Sequence, residues 1–375
     1  MNQGATSQAR RRQAAEAAAR HQDARRESRL VAIVTGAAGF IGSTLVDRLL
    51  AEGHTVVGID NLSTGMPANL EHATRKNQHR RGQFTFVQMD IEAPELAGVV
   101  ANTEPNVVFH LAAQVDLRAS VSDPQFDARS NVLGTINVCE ASRRAGVERI
   151  VYAASGGSRY GAPTSLPVTE GTPVNPLSPY AVAKLAGELY LSSYAQMYGM
   201  SAISLALSNV YGPRQNPHGE SGVVAVFGSA LIAGHTPTIF GDGTAARDYV
   251  YVDDVADAFV CASRLPMSSS GTYNIGTGRQ TTVNEVYQLI AGAVGAAAQP
   301  SYAAARTGEV HAIALDPAAA GKHLGWKPSV NIAEGVVRTV GWLCDEMDYA
   351  NQQVAMGERC DVDKPRSLAK SLTVD

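Results

Sequence analysis

The sequence predicts an α/β protein in which a doubly wound parallel sheet is followed by a smaller mixed α/β domain. Three observations support this fold class. Short apolar runs rich in β-branched residues alternate with amphipathic segments over residues 30–209. A glycine-rich turn joins the first run to the first amphipathic segment, as at the first strand–helix junction of such sheets. Beyond residue 209, glycine and proline become frequent and the alternation loosens, which indicates the second domain.

Six apolar runs are predicted to be strands because each is short and nearly continuous, as in strands covered on both faces. They span residues 31–35, 55–59, 84–89, 107–111, 150–153 and 202–207. Amphipathic segments predict helices over residues 41–52, 95–101, 127–145 and 180–198. We therefore expect a basic extension over 1–29, a first domain over 30–209, a second domain over 210–343 and a polar tail over 344–375. Some segments of the second domain are expected to return to the first sheet.

Composition excludes several classes of protein. The chain has 375 residues, of which 45% are hydrophobic and 18% charged, as in a globular protein of about two domains and unlike a disordered chain. A net charge of −4 argues against a nucleic-acid partner. The four cysteines are far apart and form no CxxC pair, which argues against a metal site or disulfide framework and favours the cytoplasm. No apolar run approaches the ~18 residues of a membrane span, and residues 1–29 hold seven arginines without the apolar segment of a secretory signal.

The glycine-rich turn indicates a dinucleotide site. It reads TGAAGFIG over residues 35–42, with glycines at Gly36, Gly39 and Gly42. Small residues there let backbone N–H groups approach a pyrophosphate at a helix N-terminus, and the last glycine lets the helix pack closely on the sheet. Asp60 ends the second predicted strand, 18 residues after Gly42, where a carboxylate accepts from a ribose hydroxyl. Its charge would repel a 2′-phosphate, so the predicted cofactor is NAD rather than NADP.

A second motif indicates proton transfer. Tyr180 and Lys184 form a YxxxK pattern, and residues four apart share one face of a helix. The ammonium is therefore expected to lie beside the phenol and to lower its pKa from about 10 towards the working pH. Ser155 ends the fifth predicted strand, where its hydroxyl would reach a substrate in the cofactor crevice. Ser158 is a weaker candidate for the same role.

Several motifs in order resemble one known family. They are TGAAGFIG at 35–42, IDN at 59–61, HLAA at 110–113, SNVLGT at 130–135, SPYAVAK at 178–184 and RDYVYVDD at 247–254. Together they resemble the extended short-chain dehydrogenase/reductase family, and within it the NAD-dependent UDP-sugar 4-epimerases. The resemblance covers about residues 30–343. It implies a Rossmann fold, NAD as cofactor, a UDP-sugar as substrate, and a homodimer formed by helices near 127–145 and 180–198.

The resemblance also implies a role for individual residues. The NAD-binding residues would be Gly36, Gly39, Phe40, Ile41, Gly42, Asp60, Asn61, Asp90, Ile91, Leu111, Ala112, Ala113, Val115, Asn131, Tyr180 and Lys184. The catalytic residues would be Ser155, Tyr180 and Lys184. The substrate would be bound by Ser155, Asn209, Gly222, Val223, Val224, Arg247, Arg306 and Ile313. No metal ligand is implied.

The residues after Ser155 favour one reaction among those of the family. The stretch 156–160 reads GGSRY and holds no acid, whereas the 4,6-dehydratases and the decarboxylating relatives place acids there. A reaction that needs one base and a reversible hydride is therefore favoured, namely 4-epimerisation of a UDP-hexose such as UDP-galactose. The alternatives are a UDP-GlcNAc or UDP-uronate 4-epimerase, then a nucleotide-sugar dehydratase, then a non-catalytic NAD-binding sensor. Ile313 matches a position where side-chain size governs room for an N-acetyl group, and its intermediate size leaves both substrate types open.

Overall fold

The computed structural model describes residues 29–79, 83–217, 222–305 and 310–355. Its strands are β1 Val31–Thr35, β2 Thr55–Asp60, β3 Phe84–Gln88, β4 Val107–His110, β5 Arg149–Ser155, β6 Ser201–Leu207, β7 Asn209–Tyr211, β8 Thr238–Phe240, β9 Ala246–Arg247, β10 Tyr249–Tyr251, β11 Gly271–Ile275, β12 Thr281–Thr282 and β13 Ser301–Ala303. Seven of them form a sheet in the order β11-β6-β5-β4-β1-β2-β3. Every neighbouring pair in this sheet is parallel, which confirms the predicted doubly wound fold.

Helices connect these strands and cover the sheet. They are α1 Phe40–Ala51, α2 Glu71–His79, α3 Leu96–Thr103, α4 Leu117–Ser122, α5 Pro124–Ala128, α6 Gly134–Arg144, α7 Gly156–Arg159, α8 Pro179–Tyr198, α9 Val223–Ile232, α10 Val252–Ser263, α11 Val283–Val294, α12 Ala318–His323 and α13 Ile332–Ala355. A 3₁₀ turn over Pro67–Leu70 precedes α2, and a π-helical turn over Arg129–Leu133 joins α5 to α6. Within the described ranges, no helix is both long enough and apolar enough to cross a membrane.

The apolar strands are explained by burial on both faces of the sheet. In β1, Ala32 and Val34 belong to one buried cluster and Ile33 to the other, because successive side chains point to opposite faces. Phe109 of β4 and Phe259 of α10 pack edge to face in the first cluster. The continuous apolar runs of the sequence therefore supply two cores at once.

The second region is built from short strand pairs and three packed helices. β7 pairs with β10 and β8 with β13 in parallel, while β9 and β12 are antiparallel. Helices α9, α11 and α13 surround a separate cluster that includes Phe227, Tyr287 and Val340. This cluster shares no buried residue with the two cores of the large sheet, as expected for a second folding unit.

The structure changes two of the predicted elements. The helix expected over 127–145 is split by the π-helical turn, which starts two residues before the buried Asn131. β11 is a segment of the expected second domain that returns to the first sheet, where it pairs with β6. The polar tail expected from residue 344 is wrong at its start, because α13 runs to Ala355. Its buried residues Val336, Val340 and Leu343 are spaced at helical intervals and hold its first half against the second core.

Candidate active site

Most of the predicted site residues lie where the carboxyl ends of the parallel strands meet. β1 is flanked by β2 on one side and β4 on the other, so the chain reverses its direction across the sheet at this point. Ligands of doubly wound sheets bind in the crevice at such a reversal. Gly36 follows β1, Asp60 ends β2, Leu111 follows β4 and Ser155 ends β5. The fold thus brings together residues that are more than a hundred positions apart in sequence.

The glycine-rich turn has no room for side chains at two of its positions. Gly36 has a φ of +70°, and a Cβ there would lie 2.8 Å from the backbone nitrogen of Ala112. A Cβ on Gly42 would lie only 2.0 Å from the carbonyl oxygen of Gly36. A Cβ on Gly39 would meet Gly36 O at 3.2 Å. The turn therefore presents bare backbone at the N-terminus of α1, which is the cradle that a pyrophosphate requires.

Asp60 lies directly against this turn. Its Oδ2 accepts from the backbone N–H of Ala38 at 2.9 Å, and its Oδ1 accepts from that of Leu62 at 2.8 Å. Burial raises the pKa of Asp60, and these backbone hydrogen bonds act in the opposite direction. Each carboxylate oxygen has a second acceptor position, so Asp60 retains capacity for ribose hydroxyls. The neighbouring Asn61 donates from Nδ2 to Asp90 Oδ2 at 2.8 Å, which joins the ends of β2 and β3.

The segment after β4 is held by Asn131 from the π-helical turn. Asn131 is buried, accepts from the backbone N–H of Gln114 and donates to its carbonyl, both at 2.9 Å. It also donates to Asp127 Oδ1 at 2.9 Å. Its polar atoms are therefore engaged in shaping the segment that contains the predicted residues Leu111, Ala112, Ala113 and Val115. Ile91, the remaining predicted residue of this group, is buried in the core beneath α6.

The predicted catalytic residues do come together. The Ser155 hydroxyl lies close enough to Tyr180 to act on its pKa, and Lys184 follows one helical turn later on α8. Lys184 is 4% exposed, and its Nζ lies 4.5 Å from the centre of the Tyr152 ring. Pro179 at the start of α8 and the hydrogen bond from the backbone N–H of Ala181 to the Ser178 side chain, at 3.2 Å, fix where the helix begins.

The electrostatics of this pair differ from the sequence-based expectation. Burial raises the pKa of Tyr180 to about 12, although its hydrogen bond with Ser155 acts in the opposite direction. Burial also lowers the pKa of Lys184 to about 8, against the charges of Glu188 and Asp127. The pKa of Tyr180 therefore lies above its ordinary value and not, as the sequence had indicated, below it. The physical reason is that removing a phenolate from water costs more free energy than the interaction with Ser155 recovers.

Sequence reasoning missed the groups that surround Lys184. Tyr152 stacks under its ammonium, and Asp127 and Glu188 provide negative charge. Glu188 is buried, forms an ion pair with Arg159 of α7 and accepts from Thr272 of β11 at 3.1 Å. The spacing of Lys184 and Glu188 is visible in the sequence, but their partners come from other elements and only the fold reveals them.

The predicted substrate residues lie at the border between the two regions. Asn209 starts β7, and its backbone N–H donates to the carbonyl of Asp248 at 2.9 Å. Gly222 caps α9, followed by Val223 and Val224 in its first turn. Arg247 donates from Nη1 to the carbonyls of Ala246 at 2.9 Å and His311 at 3.2 Å. Among the described residues no carboxylate forms an ion pair with Arg247, so its charge is not neutralised there.

Two predicted substrate residues need separate mention. Ile313 is 3% exposed and packs with Tyr160, Val168 and Leu315, so it lies behind the site surface rather than on it. Arg306 lies outside the described residues. Across those residues, the structure contains no cluster of three or more His, Cys, Asp or Glu side chains that could hold a metal ion.

Comparison with known proteins assigns the chain to a family. The sequence profile described as the NAD dependent epimerase/dehydratase family matches residues 32–276, well over half of the chain. The chain belongs to the NAD-dependent epimerase/dehydratase family. A member from Mycolicibacterium smegmatis named UDP-glucose 4-epimerase is 52% identical over 308 residues, which cover 82% of this chain and 96% of that protein. A UDP-glucuronate 4-epimerase from Thermodesulfobacterium geofontis is 33% identical, covering 84% of this chain and 97% of its own.

Solved structures of the family show the same fold. A UDP-glucose 4-epimerase from Thermotoga maritima, crystallised with UDP-glucose, has a TM-score of 0.80 and 39% identity, covering 84% of this chain and 99% of its own. The UDP-glucose 4-epimerase of Thermus thermophilus in complex with NAD has a TM-score of 0.76 and 40% identity, covering 84% and 98%. NAD is the cofactor of this family. The bare glycine turn and the adjacent Asp60 carboxylate fit that cofactor in this chain.

Proposed function

We propose that this chain is a UDP-hexose 4-epimerase that interconverts UDP-galactose and UDP-glucose. The observation that carries this proposal is that Ser155 and Tyr180 lie together, with Lys184 one helical turn away, at the same sheet edge as the glycine turn. The relatives named UDP-glucose 4-epimerase support the same activity. With that activity, the chain would serve galactose metabolism.

The three catalytic side chains have different tasks in the proposed reaction. Tyr180 takes the proton of the sugar 4-hydroxyl while Ser155 bonds the same oxygen. NAD held at the glycine turn and Asp60 would supply a reversible hydride acceptor for the sugar C4, so that no net oxidation would result. Lys184 provides a positive charge that favours the Tyr180 phenolate and a donor for the nicotinamide ribose. After the 4-keto sugar has turned over, Tyr180 gives its proton back to the 4-oxygen.

The cofactor residues divide into two groups. The turn from Gly36 to Gly42 would hold the pyrophosphate, and Asp60 the adenosine ribose. The hydrogen-bonded pair Asn61 and Asp90 would border the adenine. The segment from Leu111 to Val115, shaped by Asn131, would line the nicotinamide side.

The diphosphate of the substrate must stay fixed while the hexose turns over. Arg247 has a guanidinium without a carboxylate partner in the described structure, as a diphosphate ligand requires. Asn209 and the first turn of α9, with Gly222, Val223 and Val224, would hold the nucleotide from the other side. Arg306 is proposed as a second diphosphate ligand on its sequence match alone.

The turn after Ser155 disfavours a dehydratase. A 4,6-dehydratase must also remove the C5 proton and expel the 6-hydroxyl, which needs a further acid–base pair. The five residues after Ser155 include no carboxyl group, and Arg159 among them is already paired with Glu188. We therefore assign the site a single base and a reversible hydride transfer.

The test uses proton NMR of the purified protein without added NAD. UDP-galactose, UDP-GalNAc and UDP-galacturonate are incubated separately. We expect conversion of UDP-galactose to UDP-glucose, with cofactor carried by the protein. Conversion of UDP-GalNAc or UDP-galacturonate alone would replace the hexose by that sugar, and no conversion of any of the three after adding NAD would overturn the epimerase.

We also propose that the protein is a cytoplasmic homodimer. The described cysteines Cys139, Cys261 and Cys344 are free thiols, which fits a reducing compartment. Helix α8 exposes Leu189 and Met197, and the neighbouring α5 and π-helical turn expose Phe126 and Leu133. Large exposed apolar side chains on neighbouring elements are typical of a protein–protein contact.

A further inference from the structure

The short helix α7 brings a second hydroxyl onto Ser155. Ser158 donates from Oγ to the Oγ of Ser155 at 2.8 Å. Ser155 in turn lies next to Tyr180, and its hydroxyl acts to lower the pKa of that phenol. A hydroxyl that accepts one hydrogen bond still has its own hydrogen to donate. The three oxygens therefore form a chain that ends at the phenol of Tyr180.

Ser158 is held in this position from both ends of α7. At the first end, a Cβ on Gly156 would lie 2.8 Å from the carbonyl oxygen of Ala206 and 3.0 Å from that of Leu207, so the backbone rests directly on β6. At the other end, Arg159 is tied to Glu188 of α8 by a buried ion pair. Because Glu188 and Tyr180 belong to the same helix, this pair fixes α7 relative to the phenol.

The Ser158 hydroxyl has no competing use in the described structure. Among the described residues, Ser155 is its sole hydrogen-bond partner. A serine that merely stabilised the turn would bond the backbone of α7, as Ser and Thr commonly do in short helices. Here the hydroxyl is directed at another hydroxyl, and that second hydroxyl is the one in contact with Tyr180.

We propose that Ser158 is a positioning residue for the epimerase reaction, which commits the Ser155 hydrogen to the Tyr180 oxygen and thereby stabilises the phenolate. The proposal rests on the function proposed above, in which Tyr180 takes the proton of the sugar hydroxyl. No bond to Ser158 forms or breaks, and its proton stays in place throughout. Hydrogen bonds in a chain strengthen one another by polarisation, which is why the outer hydroxyl affects the phenol at all.

Titratable groups also surround Tyr180 and must stay unchanged in a test of Ser158. Lys184 lies one turn away on the same helix, Asp127 acts on the phenol from α5, and Tyr152 faces it from β5. None of these groups bonds Ser158. A change at Ser158 therefore reaches Tyr180 through Ser155, while the other charges stay as they are.

The experiment compares Ser158→Ala with Ser158→Thr, which keeps the hydroxyl, and with Ser192→Ala, an exposed serine of α8. One readout is the pH dependence of kcat with UDP-galactose. A substrate-free readout is the ultraviolet titration of Tyr180 in the NAD-bound protein, taken as the difference from the same variant carrying Tyr180→Phe. Thermal unfolding and bound NAD are measured for each variant.

For Ser158→Ala we expect a higher Tyr180 pKa, an acid limb moved to higher pH and kcat at neutral pH reduced about threefold to tenfold. Ser158→Thr should restore these values and Ser192→Ala should leave them unchanged. An unaltered Tyr180 titration in Ser158→Ala overturns the proposal, whether kcat stays normal or falls together with thermal stability. If the wild-type protein converts no UDP-galactose but the titration still shifts, the hydroxyl chain stands and the epimerase assignment fails.

Discussion

Tyr180 contributes only its phenolic oxygen to the proposed reaction. Removing that oxygen should therefore change the rate of the reaction without changing the binding of NAD. We expect Tyr180→Phe to lower kcat by about 10²–10⁴-fold, the usual contribution of a general acid–base group. The ring remains, so bound NAD and thermal stability should stay close to the wild type. The measurement is the initial rate of UDP-glucose formation from UDP-galactose by NMR, together with the NAD content of each protein.

The matched control for this substitution is Tyr190→Phe, on the same helix but 41% exposed. Its rate should equal that of the wild type. A Tyr180→Phe protein that keeps full turnover would exclude Tyr180 as the base.

The lowered pKa of Lys184 predicts that enzyme activity falls at alkaline pH. Burial lowers its pKa from 10.5 to about 8, so its positive charge is present below that pH and is lost as the pH rises through it. The charge favours the Tyr180 phenolate, and we therefore expect kcat/KM to decline above about pH 8. Rates measured across the pH range check this, and a profile that stays level to about pH 10 would contradict it.

The titration of Lys184 would not itself destabilise the folded chain over the pH range of that decline. Because the pKa of Lys184 is lower in the folded chain than in the unfolded chain, the unfolded chain binds more protons between about pH 8 and 10.5. The contribution of Lys184 to stability therefore rises with pH in this interval. Thermal unfolding recorded at each pH serves as the control.

At the level of single residues, site residues that belong to a local motif could be predicted from the sequence, whereas contacts between residues on different elements could not. The glycines of the turn and the Tyr180–Lys184 pair were predictable because each depends on a few neighbouring positions. Arg159 gave no such signal, since its buried partner Glu188 lies on another helix. Ile313 was placed on the site by its match to the family, whereas the fold buries it behind Tyr160. The roles of the candidate residues stay predictions until variants are measured.

At the level of elements, the glycine turn depends on the close approach of Gly42 in α1 to the backbone of Gly36. We expect Gly42→Ala to lose bound NAD and to lower the free energy of unfolding by about 1–3 kcal/mol, the usual cost of overpacking. The reason is that its Cβ would lie 2.0 Å from the Gly36 carbonyl oxygen, a backbone atom that cannot rotate away. Denaturant unfolding and the absorbance of released cofactor measure the two effects.

Gly98→Ala is the control for a glycine in a helix. Gly98 lies in α3 with no atom within 4 Å of the position of an added Cβ. Alanine has the higher helix propensity, so this change should stabilise the protein by up to about 1 kcal/mol and leave NAD bound. If Gly42→Ala behaves like Gly98→Ala, the turn is not the close contact that the structure describes.

Two features of the fold, the strand β11 and the break between α5 and α6, were not located from the sequence, and the physical cause is the same for both. The strands of the central sheet carry their own signal because burial on both faces demands continuous apolar runs. β11 lacks such a run, reading GTYNI, and is placed in the sheet by pairing with β6. The break between α5 and α6 follows from the hydrogen bonds of Asn131 across to Gln114, and no local pattern encodes these.

At the scale of the whole molecule, one face of the sheet domain is left without a partner. Val182, Leu189 and Met197 on α8 are each more than half exposed, at 54%, 63% and 60%. These positions lie on the side of α8 opposite its buried residues Ala183, Gly187 and Leu191. Together with the exposed Phe126 and Leu133 on the neighbouring elements, these apolar side chains would be costly in water, which favours their burial against a second copy.

Leu189→Lys tests this face directly. A lysine at the centre of the stripe would place two like charges in a self-complementary contact, so we expect light scattering to show the mass of one chain instead of two. Val337→Lys is the matched control, because Val337 is 60% exposed on α13, away from that face. It should stay dimeric. A wild-type protein that is monomeric at micromolar concentration would contradict the dimer, whereas a dimer unaffected by Leu189→Lys would place the contact elsewhere on the molecule.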